Sequence, residues 1–108
     1  MTKAEEERLY LLTEECAEVI KEAQKILRHS YENYHPDESN IMNRVCLQRE
    51  MSDLFFIMKM MMFVGDVESE SIIFKEVEER KLENVHCQEN KNIAVNCRFY
   101  FENLFAGE

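Results

Sequence analysis

Apolar residues recur at helical spacing along the first part of the chain. Leu9, Leu12, Cys16, Val19, Ile20, Ala23, Ile26 and Leu27 form one core-facing stripe, the period of an amphipathic helix from about Lys3 to Arg28. Thr2, with Glu5 three residues on, has the pattern of a capping box at its start. His29–Asn40 breaks the pattern with Ser30, Asn33, Pro36, Asp37 and Ser39. It reads as a loop, because proline pushes the residue before it away from helical geometry. A second helical stretch is expected from about Glu38 to Val64, and the pattern leaves open a kink or split before Glu50. Gly65 suits a left-handed cap at its end, and Asp66 can cap the helix that follows. That third helix, about Val67 to Asn84, keeps Ile72, Ile73, Phe74, Val77 and Leu82 among many charges.

Two stretches depart from simple amphipathicity. From Leu54 to Val64 nearly every face is apolar, with Phe55, Phe56, Ile57, Met58, Met60, Met61, Met62 and Phe63. A helix apolar all round is buried all round, and one small bundle does not easily surround it, so a homo-oligomer, dimer or tetramer, is expected. The methionines Met58–Met62 are read first as oligomer core and second as an adaptable binding surface. At the tail, Ile93, Val95, Cys97, Phe99 and Phe101 alternate with Ala94, Asn96, Arg98, Tyr100 and Glu102. Period two is the pattern of a half-buried strand. A lone strand needs a partner, so this segment either pairs with its copy in another subunit or is a helix or coil packed on the bundle.

Composition narrows the fold to all-α, an antiparallel helical bundle with a short C-terminal strand or extended tail. The 108 residues include two glycines and one proline, with 45% hydrophobic and 32% charged, which excludes a turn-rich β-sandwich and a disordered linker. The expected division is a helical domain over residues 1–86 and a tail over residues 87–108. Leu54–Val64, interrupted by Lys59, is well short of the ~20 residues that span a bilayer, and the acidic opening Met1–Glu7 is unlike a secretory signal. A soluble, cytoplasmic protein is expected. The four cysteines form no C-x-x-C pair, and reduced thiols fit that compartment. Net charge is −9, and among the 22 acids only Asp37, Asp53 and Asp66 are aspartate. So acidic a surface repels a nucleic-acid polymer, whose binding depends on Lys and Arg displacing counterions. A small phosphate ligand remains open if a cation bridges it to the carboxylates.

Two carboxylate pairs carry the candidate chemistry. Glu15/Glu18 lie in Glu14-Glu15-Cys16-Ala17-Glu18, and Glu50/Asp53 in Glu50-Met51-Ser52-Asp53. Each i, i+3 pair projects from one side of its helix. The Glu50/Asp53 side continues into Ile57, Met60, Met61 and Val64, so these acids point inward or towards a cleft. Glu15, Glu18 and Glu22 are expected between the apolar stripe and the outer face. With the helices antiparallel, four carboxylates converge, and desolvating them without a counter-charge costs several kcal/mol per ion. A divalent cation removes that cost. All-oxygen ligation selects Mg²⁺ or Mn²⁺ over zinc.

In order and setting, Glu14-Glu15-x-x-Glu18 followed by Glu50-x-x-Asp53 resembles the E-E-x-x-E … E-x-x-D signature of the MazG-like, all-α nucleoside triphosphate pyrophosphohydrolases. The likeness extends over roughly Leu9 to Lys81, with Leu11-Leu12-Thr13 before the first motif and Leu54-Phe55 after the second. It implies that Glu15, Glu18, Glu50 and Asp53 are the catalytic and Mg²⁺-binding residues. It also implies hydrolysis of a nucleoside triphosphate between its α and β phosphates, to a monophosphate and pyrophosphate, in nucleotide-pool clearance. Lys75 and Arg80 resemble the family's phosphate-contacting positions, and Tyr31, Tyr34 and His35 lie where its members differ in base recognition. Such enzymes usually assemble as oligomers.

Independently of the resemblance, the residues suit this chemistry. Phosphoryl transfer needs charge neutralisation and an in-line water more than covalent catalysis. A carboxylate not committed to metal, Glu18 or Glu15, could take that water's proton. There is no P-loop and no Ser/His/Asp arrangement. Two rival readings are a non-catalytic helical interaction module and a di-iron carboxylate bundle. The latter would use Glu32-x-x-His35 and Glu83-x-x-His86, one beside Pro36 and the other at a helix end.

Overall fold

The computed structural model describes residues 1–34, 41–68 and 79–106, with the side chains of 98–106 left aside. Every regular element among them is helical. α1 spans Lys3–His29 and α2 spans Asn43–Val64. A 3₁₀ turn covers Leu82–Asn84, and α3 spans Gln88–Ala106. The chain divides into two compact units, Met1–Val67 and Glu68–Glu108.

α1 begins as its sequence dictates. The Thr2 hydroxyl accepts from the Glu5 N–H at 3.1 Å, and the Glu5 carboxylate accepts from the Thr2 N–H at 2.9 Å. Both bonds satisfy donors that a helix start leaves open. The helix ends at Ser30, whose φ of 74° and ψ of 164° lie in a region suited to glycine. Asn43 holds this turn from the other side. Its side chain is fully buried, its Nδ2 donates to the Ser30 carbonyl at 3.1 Å, and its N–H donates to the Asn33 carbonyl at 2.6 Å. The Arg44 guanidinium stacks over the Tyr31 ring at 4.5 Å and pairs with Glu32. α2 is continuous, without a kink or split at Glu50, and begins at Asn43. The expected stretch before it, from Glu38 to Asn40, lies outside the described residues. Gly65 ends α2 at φ 84°, the left-handed cap expected.

The two helices of this unit pack antiparallel. The turn joins the end of α1 to the start of α2, and at the far end Arg8 clasps Asp66 bidentately, at 2.5 and 3.0 Å. Asp66 therefore spends both oxygens on Arg8, and Val67 and Glu68, where the helix it was expected to cap would begin, are not helical; residues 69–78 lie outside the described set. Inward positions on α1 step alternately by four and three residues: Arg8, Leu12, Glu15, Val19, Glu22 and Ile26. The α2 row is Asn43, Leu47, Glu50, Leu54, Ile57 and Met61. This is the narrow seam of two helices that stay aligned along their length.

That seam corrects the expected stripe. Leu9, Ile20 and Leu27 are exposed, Leu27 by 77%, while Glu22 is only 5% exposed. Among the described residues α1 packs on α2, which buries Glu22 alone on α1 and leaves Leu12, Cys16, Val19, Ala23 and Ile26 of the stripe half-buried. Likewise α2 buries Ile57 and Met61 but leaves Phe55, Phe56, Met60, Phe63 and Val64 exposed, Phe63 by 91%.

In the second unit, the helix is the one of the two readings of the alternating tail that the structure adopts. Ile93–Phe101 lies within α3 and is not a strand. A helix satisfies its backbone groups within the segment, whereas a single strand leaves a row of them open. Residues 79–81 are helical and lead into the 3₁₀ turn, within the span expected of the third helix; residues 69–78, and Lys75 with them, lie outside the described set.

Candidate metal centre

The carboxylates that the sequence singles out come from the facing rows of α1 and α2. Glu15 occupies a seam position on α1. Glu50 occupies one on α2, and Asp53 stands one turn further on at the seam's edge. Their carboxylate oxygens lie within 4.8 Å of one another, Glu15 and Glu50 half-buried and Asp53 exposed. It is the one such group of potential ligands among the described residues. Glu18, the fourth residue predicted, is half-buried on the same side of α1. It stands outside this triad, yet its charge acts on both Glu15 and Glu50.

The electrostatics are those of anions brought together without a counter-charge. Burial pushes the Glu50 carboxyl above its ordinary 4.5, and repulsion from Glu18, Asp53, Glu15 and Glu22 adds to it. Glu15 is pushed up in the same way, by burial and then by Asp53, Glu14 and Glu18. Desolvation and like charge both disfavour the ionised form. At neutral pH the group is therefore a site of stored repulsion that a cation relieves.

Glu22 is the residue that sequence reasoning placed too far out. It lies on the seam, with Oε1 accepting from Lys25 Nζ at 3.3 Å. Its Oε2 is buried and without a hydrogen-bond partner. Leaving a buried acceptor unsatisfied costs about 1–3 kcal/mol, and more for a charged one. The seven-residue step from Glu15 to Glu22 was the available signal, since it returns to the same helix face.

The donor set fits a hard divalent cation. It offers only carboxylate oxygens, with neither thiolate nor imidazole in the group, the set that suits Mg²⁺ or Mn²⁺. Glu22 Oε2 and Asn43 Oδ1 are the buried side-chain atoms among the described residues that have no hydrogen-bond partner. Of the di-iron alternative's residues, Glu32 is engaged by Arg44, Glu83 is exposed on the 3₁₀ turn, and His35 is outside the described residues. Arg80 is exposed in the second unit.

Near the turn, Ala23, Ile26, Leu27, Ser30, Tyr31 and Leu47 line an apolar recess of about 490 Å³. No helix among the described residues is long and apolar enough to cross a membrane. No family model, curated protein or solved structure matches the chain.

Proposed function

We propose that this protein is a Mg²⁺-dependent nucleoside triphosphate pyrophosphohydrolase of the MazG-like kind, releasing a monophosphate and pyrophosphate. The observation that carries the reading is the convergence of Glu15, Glu50 and Asp53 from two antiparallel helices into one oxygen-only group. Glu15, Glu50 and Asp53 would hold Mg²⁺, with Glu18 beside them. Mg²⁺ supplies charge neutralisation for the phosphates and acidifies a bound water. Glu18, outside the triad, is the carboxylate best suited to accept the proton of the attacking water. The apolar recess beside Tyr31 is in the size range of a small-ligand pocket and is the candidate seat for the base.

The exposed side chains support a homo-oligomer. Phe55, Phe56, Phe63, Ile20 and Leu27 are each more than half exposed. Burying a side chain of this size contributes roughly 1.5–3 kcal/mol, and large apolar patches rarely remain open on monomers. Sedimentation at micromolar concentration should give a species heavier than the 13.0 kDa chain; a monodisperse species at the chain mass rejects the assembly.

A panel of standard and modified triphosphates with Mg²⁺ tests the activity. Pyrophosphate is the expected product. Orthophosphate appearing first points to a different hydrolysis, and absence of Mg²⁺-dependent nucleotide binding leaves the interaction module.

A further inference from the structure

Beyond its seam, the α1–α2 pair has two broad sides of opposite character. A residue that follows a seam position lies about 100° further round its helix. Because the helices run in opposite directions, the two rows of following residues fall on one side of the pair, and the two rows of preceding residues on the other. The following rows are Leu9, Thr13, Cys16, Ile20, Ala23 and Leu27 on α1, and Arg44, Gln48, Met51, Phe55, Met58 and Met62 on α2. Arg44 is their only charge, and it is engaged at the turn by Glu32 and the Tyr31 ring. The preceding rows hold Glu7, Glu14, Glu18, Lys21 and Lys25 on α1, and Arg49 and Asp53 on α2. The carboxylate group therefore borders the charged side.

The uncharged side has the extent of an interface. Its Leu9, Ile20, Leu27, Met51, Phe55 and Met58 are all exposed. α2 has 22 residues, so it is about 33 Å long, and two packed helices are about 20 Å across. One side of the pair is then on the order of 600 Å². Two copies meeting through it bury about 1,200 Å² together, where specific interfaces begin. The rows advance by alternating steps of three and four, the spacing of helix on helix, so what fits them is another helix pair of the same length. Two chains of net charge −9 repel each other, and contact costs least where neither brings a charge.

We infer that a second copy of the chain docks on this uncharged side, the same side of each copy against the other, and that the carboxylate group stays outside the contact. The inference rests on the homo-oligomer reading above and deepens it by naming the surface. A contact that uses the same patch on both copies closes on itself as a two-fold dimer. Lys59, which leans over the Phe55 ring at 5.4 Å, takes a place in its polar rim. Ala23 and Leu27 also line the apolar recess, so the substitutions that test the contact are placed away from them.

Phe55 and Phe56 provide the test, because these neighbours lie on opposite sides of the pair and are 52% and 57% exposed. Sedimentation of the full chain at micromolar concentration should give at least twice the 13.0 kDa chain mass. Phe55→Glu and Ile20→Glu should each raise the dissociation constant about tenfold or more, with helical content unchanged, and Phe56→Glu should leave it at the wild-type value. Mn²⁺ affinity, titrated by electron paramagnetic resonance, should not fall when Phe55→Glu or Ile20→Glu separates the copies. A fall would show that the carboxylate group depends on the contact, and overturns that part of the inference. Dissociation by Phe56→Glu, alone or as strongly as by Phe55→Glu, overturns the choice of side and leaves the homo-oligomer standing. A wild type that sediments at the chain mass overturns both. Should Phe55→Glu not fold, Ile20→Glu decides alone: dissociation supports the surface, and unchanged assembly overturns it.

Discussion

The open end and the middle of the helix pair treat charge in opposite ways. At the open end Arg8 and Asp66 meet in a two-bond clasp, both side chains largely covered. The guanidinium holds the Asp66 carboxyl below its ordinary 3.8. In the middle, Glu15, Glu50 and Asp53 meet with no cation among them, and burial and repulsion hold two of the three above 4.5. Arg8, Glu15 and Glu50 each take a seam position that an apolar side chain would fill at lower cost. The clasp repays its position with an ion pair inside the chain, whereas the middle brings like charges together. A covered charge beside its partner is favoured in its ionised form, whereas half-buried like charges disfavour one another's.

The largest effect expected is in the middle. Glu50→Gln or Asp53→Asn should lower Mg²⁺-dependent pyrophosphate release by at least the ~100-fold that marks the upper range for merely supporting residues. Metal-free thermal stability should hold or rise, since each change removes an anion from a repelling group. Turnover at the wild-type level in both variants would place the chemistry elsewhere.

Acid titration separates the two regions in one experiment. Glu15 and Glu50 have raised values, so the folded chain holds their protons more tightly than the unfolded one. In chelator, stability should therefore climb as pH falls from neutral through their raised values to 4.5. Asp66 has a lowered value, so its contribution is complete above 3.8 and is lost as pH drops through its folded value. Melting temperature in chelator should pass through a maximum in the acid range, and Mg²⁺ should flatten the neutral side. A steady decline from pH 7 downward in chelator contradicts the assignment of repulsion to the middle.

The closed end offers a smaller change. Ser30 holds a glycine-like conformation, and Ser30→Gly should stabilise the chain by about 1 kcal/mol, the low end of such strain, measured by denaturant midpoint. Smallest of all, Arg8→Gln and Asp66→Asn should each lower the melting temperature modestly, the double variant falling by less than their sum, with Mn²⁺ affinity untouched. A loss of Mn²⁺ binding there would mean that the clasp also sets the geometry of the middle.

Much of this was legible one residue type at a time. Thr2 with Glu5, Gly65, and the limits of α1 follow from local chemistry that acts within a few residues. The two i, i+3 carboxylate pairs are local as well, because helical geometry alone puts each pair on one side. What the sequence could not settle is which side of each helix faces the other. Three apolar residues of α1, Leu9, Ile20 and Leu27, stay exposed, while Glu22 is buried. Periodicity reports how apolar a face is, not which neighbour reaches it, and one partner helix covers only a narrow row. The tail shows the same limit: Ile93–Phe101 alternates like a strand, but period two needs a neighbouring strand to act on, and the chain forms α3 there instead. Local propensity and spacing determined α1 and α2, the caps at Thr2 and Gly65, and the candidate ligands. Only the packing of α1 on α2 brought Glu15 to Glu50 and Asp53 and sealed one oxygen of Glu22, because distances between residues far apart in the chain are set by the seam they share.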